Sequence, residues 1–465
     1  MSVDFQHLDY LENADRWQMM QDVCSGSRAV KKANTLYLPM INFCDDPDQN
    51  WARYQAYLKR AVFYPITKNT LQTHIGLAFA EDPTFDPDGM DFLKDNADGL
   101  GTSIYQLNQK ALSLLLKFGR GGFLVDYPTT QGGVTPADIQ TRGIRPIMAL
   151  YDAFNIINWR VKKIGNEFRT SLVVLREFTS ETDPLNEFQE KVVTNYRVLR
   201  LDENNEYSIQ VYSDSTGEML AGELIYPTIN GKRLNEILFF PIGAQVNDFS
   251  IDEIPLEPVA EINLAHYRNS AEYEQSVFFT NQVQPVFSEL DQDDADRLEK
   301  GGVKLGSATP ITLRGSGKFT YATAPVDTLA KEAMDDKKQY MQDLGAKLLD
   351  SNAMNKTATQ INSEDATNHS VLSLCVSNLN EAMEYCLKWC AAFYGSGSNA
   401  RFTIKQDFAR GRISLEDLKF YQSEVVAGRM SAKTLHEIMA TGKIPELDFD
   451  EERLRIEESQ AQSFV

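Results

Sequence analysis

The apolar positions of this chain culminate in two long helical stripes separated by a short polar hinge. In the first stripe Leu329, Ala333, Tyr340, Met341, Leu344 and Leu348 recur, mostly at steps of three and four. That spacing puts side chains on one helix face. The hinge, residues 350–356, reads Asp350-Ser351-Asn352-Ala353-Met354-Asn355-Lys356. The second stripe runs Leu372, Cys375, Val376, Leu379, Met383, Cys386, Leu387, Cys390 and Phe393. Thr357 and Gln360 fit a capping box, in which two side chains satisfy orphan N–H groups at a helix start, and Gly395 fits a stop. The pattern predicts one helix over 357–395, about 55 Å long at ~1.5 Å per residue. Helices of that length usually belong to bundles, coiled coils or assemblies.

Upstream, residues 1–120 read as mostly helical. One run passes through Trp17, Met20 and Val23 to Gly26, and a second through Tyr54, Tyr57, Leu58 and Ala61 to Pro65. A third carries Leu71, Ile75 and Ala78, and a fourth spans Ile104–Phe118 and ends at Gly119. From residue 123 to about 241 the period changes to that of strands, predicted at 123–127, 146–150, 156–161, 170–178, 191–201 and 208–212. Successive strands without helices between them imply an antiparallel or mixed sheet, hence an α+β fold. Pro258 marks the first turn of another long helix, running towards Gln282. A small α/β patch then carries an acidic helix at 291–300 and short strands at 303–305, 311–313 and 319–321. Beyond Gly395-Ser396-Gly397-Ser398 lie a strand at 401–405, two short helices and an acidic tail, 446–462, expected to be partly disordered.

Composition narrows the function. The net charge of -20, from 66 acidic and 46 basic side chains, opposes ordinary tight nucleic-acid binding, which needs clustered Lys and Arg to displace phosphate counterions. It is compatible with a wall that DNA slides past without sticking. No apolar run is long enough to span a membrane, and no secretory signal is visible. Five cysteines without paired spacing point to a reducing compartment.

Candidate chemistry is sparse. Gly119-Arg120-Gly121-Gly122 follows a helix and opens a strand, the reverse of the order that aims amides and helix dipole at a phosphate. It reads as a helix stop and tight turn. No P-loop motif occurs. Cys375, Cys386 and Cys390 share a face that could hold zinc, but they lie in an apolar stripe, where cysteine is ordinarily core. The five histidines are scattered, and Asp291, Asp293, Asp294 and Asp296 lack the glycine and terminal glutamate of a calcium loop, so a solvated acidic helix is the preferred reading. No catalytic constellation, metal site or cofactor site is predicted, and the chain is not expected to be an enzyme. Lys331, Lys337, Lys338, Lys347 and Lys356 bracket the hinge. They read as surface lysines or, arranged around a pore, as weak rings of charge facing phosphates.

The order of elements, with several short segments, resembles the portal proteins of tailed bacteriophages. The segments are 57–65 (Tyr57 to Pro65), 122–128 (Gly122 to Pro128), 156–160 (Ile156-Ile157-Asn158-Trp159-Arg160), 263–270 (Asn263 to Ser270) and Lys356-Thr357-Ala358-Thr359-Gln360. The resemblance implies a portal fold: wing (1–256, β-rich over 123–250), stem helix (257–282), clip (283–325), second stem helix (326–349), tunnel loop (350–356), long wing helix (357–395), and crown with acidic tail (396–465). It further implies a dodecameric homo-oligomeric ring at one capsid vertex of the virion, assembled in the host cytoplasm. Double-stranded DNA would pass through this head-tail connector during packaging and ejection. The terminase large subunit, major capsid or scaffolding protein and head-tail adaptors would be partners; no membrane would be involved. On this reading Asn352, Asn355 and Lys356 are DNA-channel candidates, although Lys356 also fits a salt bridge to Asp350 or a neighbouring subunit. Phe287, Ile311 and Phe319 are intersubunit clip candidates. The alternatives are a virion structural or adaptor protein without a channel, and an enzyme built on scattered carboxylates.

Overall fold

The computed structural model describes residues 3–40, 47–127, 144–183, 186–214, 219–282, 284–301, 312–313, 316–322, 328–348, 370–397, 399–406, 415–441 and 448–462. The first helices are α1 (Leu8–Ser25), α2 (Ser27–Lys32), α3 (Pro47–Arg60) and α4 (Ile66–Ala78), followed by β1 (Thr84–Asp86) and α5 (Ile104–Phe118). The β-rich stretch holds β2 (Arg120–Asp126), β3 (Ile147–Asp152), β4 (Ile156–Ile164), β5 (Glu167–Asp183) and β6 (Asn186–Leu201). It continues with β7 (Tyr207–Asp214), β8 (Met219–Ile225), β9 (Thr228–Ile229), β10 (Lys232–Arg233) and β11 (Phe239–Gly243). Then come α6 (Glu257–Thr280), β12 (Gln284–Ser288), α7 (Gln292–Gly301), β13 (Lys318–Ala322), α8 (Leu329–Lys347) and α9 (Val371–Tyr394). The chain closes with β14 (Arg401–Thr403), α10 (Leu415–Val426), α11 (Ala432–Thr441) and α12 (Phe449–Gln462). Among the described residues every strand pairing is antiparallel, as in an α+β fold.

Two compact units result. The larger comprises Met1–Gly76 and Pro83–Thr403. Its centre is α9, whose stripe Leu372, Cys375, Val376, Leu379, Met383, Cys386, Leu387 and Cys390 is buried against α5, β2 and β11. The three-stranded sheet β11-β2-β3 forms the floor. Glycine lets these layers close. Gly119 ends α5 in the left-handed region at φ 71°, and a Cβ on Gly122 would fall 2.1 Å from the Phe239 ring. A Cβ on Gly243 would lie 2.0 Å from the Val246 carbonyl oxygen, while Asn378 Nδ2 on α9 donates to Gly243 O at 2.9 Å. The glycine run therefore serves packing, in keeping with the helix-stop reading. The second sheet has order β4-β5-β6-β7-β8. Arg197 on β6 keys it to the first, pairing with Glu177 at 2.7 Å and with Asp126 on β2 at 3.0 Å.

The smaller unit comprises Leu77–Asp82 and Ile404–Val465. Ser431 caps α11 by accepting from Thr434 N at 3.0 Å. Glu452 on α12 accepts from Ser431 N and Thr434 Oγ1, both at 2.6 Å, and Arg455 pairs with Glu437 at 2.9 Å. These polar contacts fold the acidic tail into a helix over Phe449–Gln462, where disorder is expected from its charge.

The other departure concerns the longest predicted helix. The helix observed begins at Val371, not Thr357. Ser370 sits in extended backbone, φ -63° and ψ 155°, and its side chain accepts from Ser373 N. A residue so placed is an N-cap and cannot continue a helix through itself. The capping pair Thr357 and Gln360 lies outside the described residues.

Candidate assembly interface

α6 and α8 pair into a two-helix rod, with β12, α7 and β13 forming a small insert between them in sequence. α6 starts with proline in its first turn, and Glu257 is held by the Arg16 guanidinium, Nε to Oε1 at 2.8 Å. Its first half is buried through Val259, Ala260, Asn263, Leu264, His266, Tyr267, Ser270 and Ala271. Asn263 anchors it, accepting from Thr67 N at 3.1 Å and Thr67 Oγ1 at 3.0 Å and donating to Tyr64 O at 2.9 Å. Beyond Ala271 the stripe emerges: Phe278 is 38% and Phe279 52% exposed.

α8 returns along α6. Asn269, Glu272 and Ser276 of α6 face Leu329, Ala330 and Ala333 of α8 across a shallow depression, while His266 lies near Asp335, Lys337 and Lys338. The C-terminal end of one helix thus meets the N-terminal end of the other, so the two run antiparallel. Only the last turns of α8 enter the core, through Met341 and Gly345, where His74 Nε2 lies 3.1 Å from Gly345 O. Leu329 is exposed.

The insert is a strand pair with α7 between its strands in sequence. β12 and β13 pair in the register Pro285↔Tyr321, Phe287↔Phe319. Side chains alternate across a strand, so Phe287, Phe319 and Tyr321 share one face. The Phe287 and Phe319 rings lie 5.1 Å apart and Phe319 meets Tyr321 edge-on at 4.8 Å. Two of the three clip candidates, Phe287 and Phe319, are therefore brought together as cross-strand partners, half-buried, with Tyr321 52% exposed beside them. The acidic stretch is not simply solvated: Asp291 Oδ1 accepts from Asp294 N at 2.8 Å, and Asp294 is buried and pairs with Arg297 at 3.0 Å. Ile311 and the channel candidates Asn352, Asn355 and Lys356 lie outside the described residues, as does the whole hinge.

The electrostatics are those of packing. Burial pushes the thiols of Cys375 and Cys390 up to about 12 and that of Cys24 to about 11, the state of inert core cysteines. Burial also lowers the pKa of His266, which Lys337 reinforces and Asp335 opposes. Among the described residues no group of three His, Cys, Asp or Glu side chains is placed to hold a metal ion, and no helix is long and apolar enough to cross a membrane. An open cleft of about 1270 Å³ is lined by His7, Trp159, Phe249, Asn247 and Tyr385. Its polar groups are engaged locally, Asn247 with Asn378 O and Tyr385 with Glu236. The sequence reading missed the exposed aromatics of the rod. Adjacent apolar residues give no signal of exposure, since α9 buries such neighbours as Cys375-Val376 and Cys386-Leu387 on one broad face.

A family model described as Domain of unknown function (DUF4055) matches residues 255–394, essentially α6 to the end of α9. No match was found among curated proteins. Among solved structures, a chain of the "Virion of native gene transfer agent (GTA) particle" is 12% identical over 84% of this chain and 93% of that chain, with a TM-score of 0.39. A chain of the "Neck of empty GTA particle computed with C6 symmetry" is 11% identical over 84% and 93%, at 0.39. One from the "Neck of native GTA particle computed with C12 symmetry" is 11% identical over 81% and 89%, at 0.38. Likenesses this slight carry no functional argument.

Proposed function

We propose that this chain is a phage portal protein: a homo-oligomeric ring at one capsid vertex, through which double-stranded DNA is packaged and ejected and to which motor and tail attach. The observation that carries this reading is the α6–α8 rod with its insert. Phe278, Phe279, Tyr321 and Leu329 leave apolar surface in water along the rod and insert, and the insert has too few apolar residues for an independent core. Contiguous exposed apolar surface marks an interaction site. A ring of identical subunits covers it through heterologous contacts, each copy presenting two complementary faces. In such a ring the rod is the stem and the insert the clip facing motor and adaptors. The hinge 350–356 faces DNA as a tunnel loop, with Asn352, Asn355 and Lys356 nearest the phosphates. The role is structural, not enzymatic.

Negative-stain microscopy of the purified protein tests the proposal: rings with a central hole are expected. Compact particles without a hole would favour the alternative, a virion structural or adaptor protein lacking a channel. Phe319→Asp places an unpaired charge in the subunit contact, at a cost on the order of several kcal/mol per site. It should keep its helical circular dichroism while losing rings; rings formed as readily as wild type would remove the insert from the interface. Deleting residues 351–355 should spare rings and impair packaging or retention of DNA, and normally filled heads would refute the tunnel-loop role.

A further inference from the structure

Among the described residues the five-stranded sheet has two open edges of opposite character, because β4 and β8 each pair on one side only. At the β4 edge His7 N donates to Ile157 O at 2.9 Å, so the N-terminal segment covers the first part of that strand. The rest, Arg160, Val161, Lys162 and Lys163, is exposed and strongly basic. At the β8 edge Leu220, Ala221, Gly222, Glu223 and Leu224 are all exposed. The charge there is acidic, from Glu223 and from Asp214 opposite Met219 on β7. Neither Lys162, Lys163 nor Glu223 takes part in an ion pair among the described residues.

An exposed edge strand presents unpaired N–H and C=O groups that template pairing with another chain, and lysines are a usual guard against it. β4 carries that guard, since two β4 edges would set like charges face to face. β8 does not: its edge is apolar apart from one carboxylate, and Leu220 is 52% exposed. We propose that the β8 edge of one copy adds to the β4 edge of the next, so that the five-stranded sheet continues across the subunit boundary. The inference rests on the ring reading and names where one of its contacts lies. Both halves of the contact are on this chain, basic against acidic, and they are different surfaces, as a closed ring of heterologous contacts requires. Four successive antiparallel pairings make β4 and β8 run in the same direction. Copies related by the small rotation of a many-membered ring therefore meet as a parallel strand pair, which needs no hairpin between them.

The test uses the full chain. Lys162→Glu with Lys163→Glu should raise the protein concentration needed for half-maximal ring formation about tenfold, and adding Glu223→Lys should recover most of the loss. Val161→Cys with Leu220→Cys, treated with a flexible bismaleimide, should give a ladder of covalent oligomers that neither single variant gives. Wild-type rings by microscopy, with ring formation indifferent to the charge reversals and no ladder, would overturn the edge contact and leave the ring reading standing. A covalent dimer from Leu220→Cys alone would overturn it in favour of symmetric β8–β8 pairing. Absence of wild-type rings would overturn both.

Discussion

α9 and the outer part of the α6–α8 rod carry comparable helical stripes and meet opposite fates. α9 buries twelve residues, whereas α8 buries only Met341 and Gly345. The difference lies in what surrounds them. α9 rests on α5, β2 and β11, while α8 has α6 as its main helical neighbour. An apolar stripe therefore specifies a face that needs covering and leaves open which molecule covers it. In α9 the same chain does so; along the rod Phe278, Phe279 and Leu329 stay exposed.

Substitution at matched apolar positions would break this comparison if it is wrong. Cys386→Asp places a carboxylate in a fully buried site and should cost on the order of 4 kcal/mol or more. The expected result is an unfolded or strongly destabilised chain in thermal circular dichroism. Phe279→Ser, at the outer end of α6, should leave the dissociated chain within about 0.5 kcal/mol of wild type while weakening the assembly. A large loss of monomer stability from Phe279→Ser would mean that the rod end is core after all. The smallest effect is one of pH. The folded pKa of His266 lies below its ordinary value, so between the two values the unfolded state binds more protons. Stability should therefore decline as pH falls below about 6.5. His266→Asn should flatten that decline in denaturant midpoints measured from pH 8 to pH 5.5; an unchanged slope would place the acid sensitivity elsewhere.

The elements whose signals are local were legible in the sequence. α5 lies at Ile104–Phe118 as expected because Ser103 caps it and Gly119 stops it, and α6 begins where Pro258 allows. β8 and β11 were not legible. The β8 strand is exposed almost throughout, so its sequence lacks an inward-facing alternation, and β11 is the short run Phe-Phe-Pro-Ile-Gly. The start of α9 was misplaced because Thr357 and Gln360 satisfy the spacing of a capping box, while Ser370 makes its cap with a single hydroxyl. In the insert, Phe287 and Phe319 stand out in the sequence as apolar residues, but their cross-strand register depends on the pairing of β12 with β13. The exposure of Phe278, Phe279 and Tyr321 depends on where the core stops, which no local pattern records.

The buried thiols carry a practical consequence. Cys24, Cys375, Cys386 and Cys390 are all free and enclosed, and a thiol reacts with alkylating reagents as the thiolate. While the fold is closed these four groups are chemically silent. When α9 lifts from its bed, three of them become reactive together, so alkylation of those sites times the opening of the central helix. The core of this chain contains its own stopwatch, started by unfolding and readable by mass.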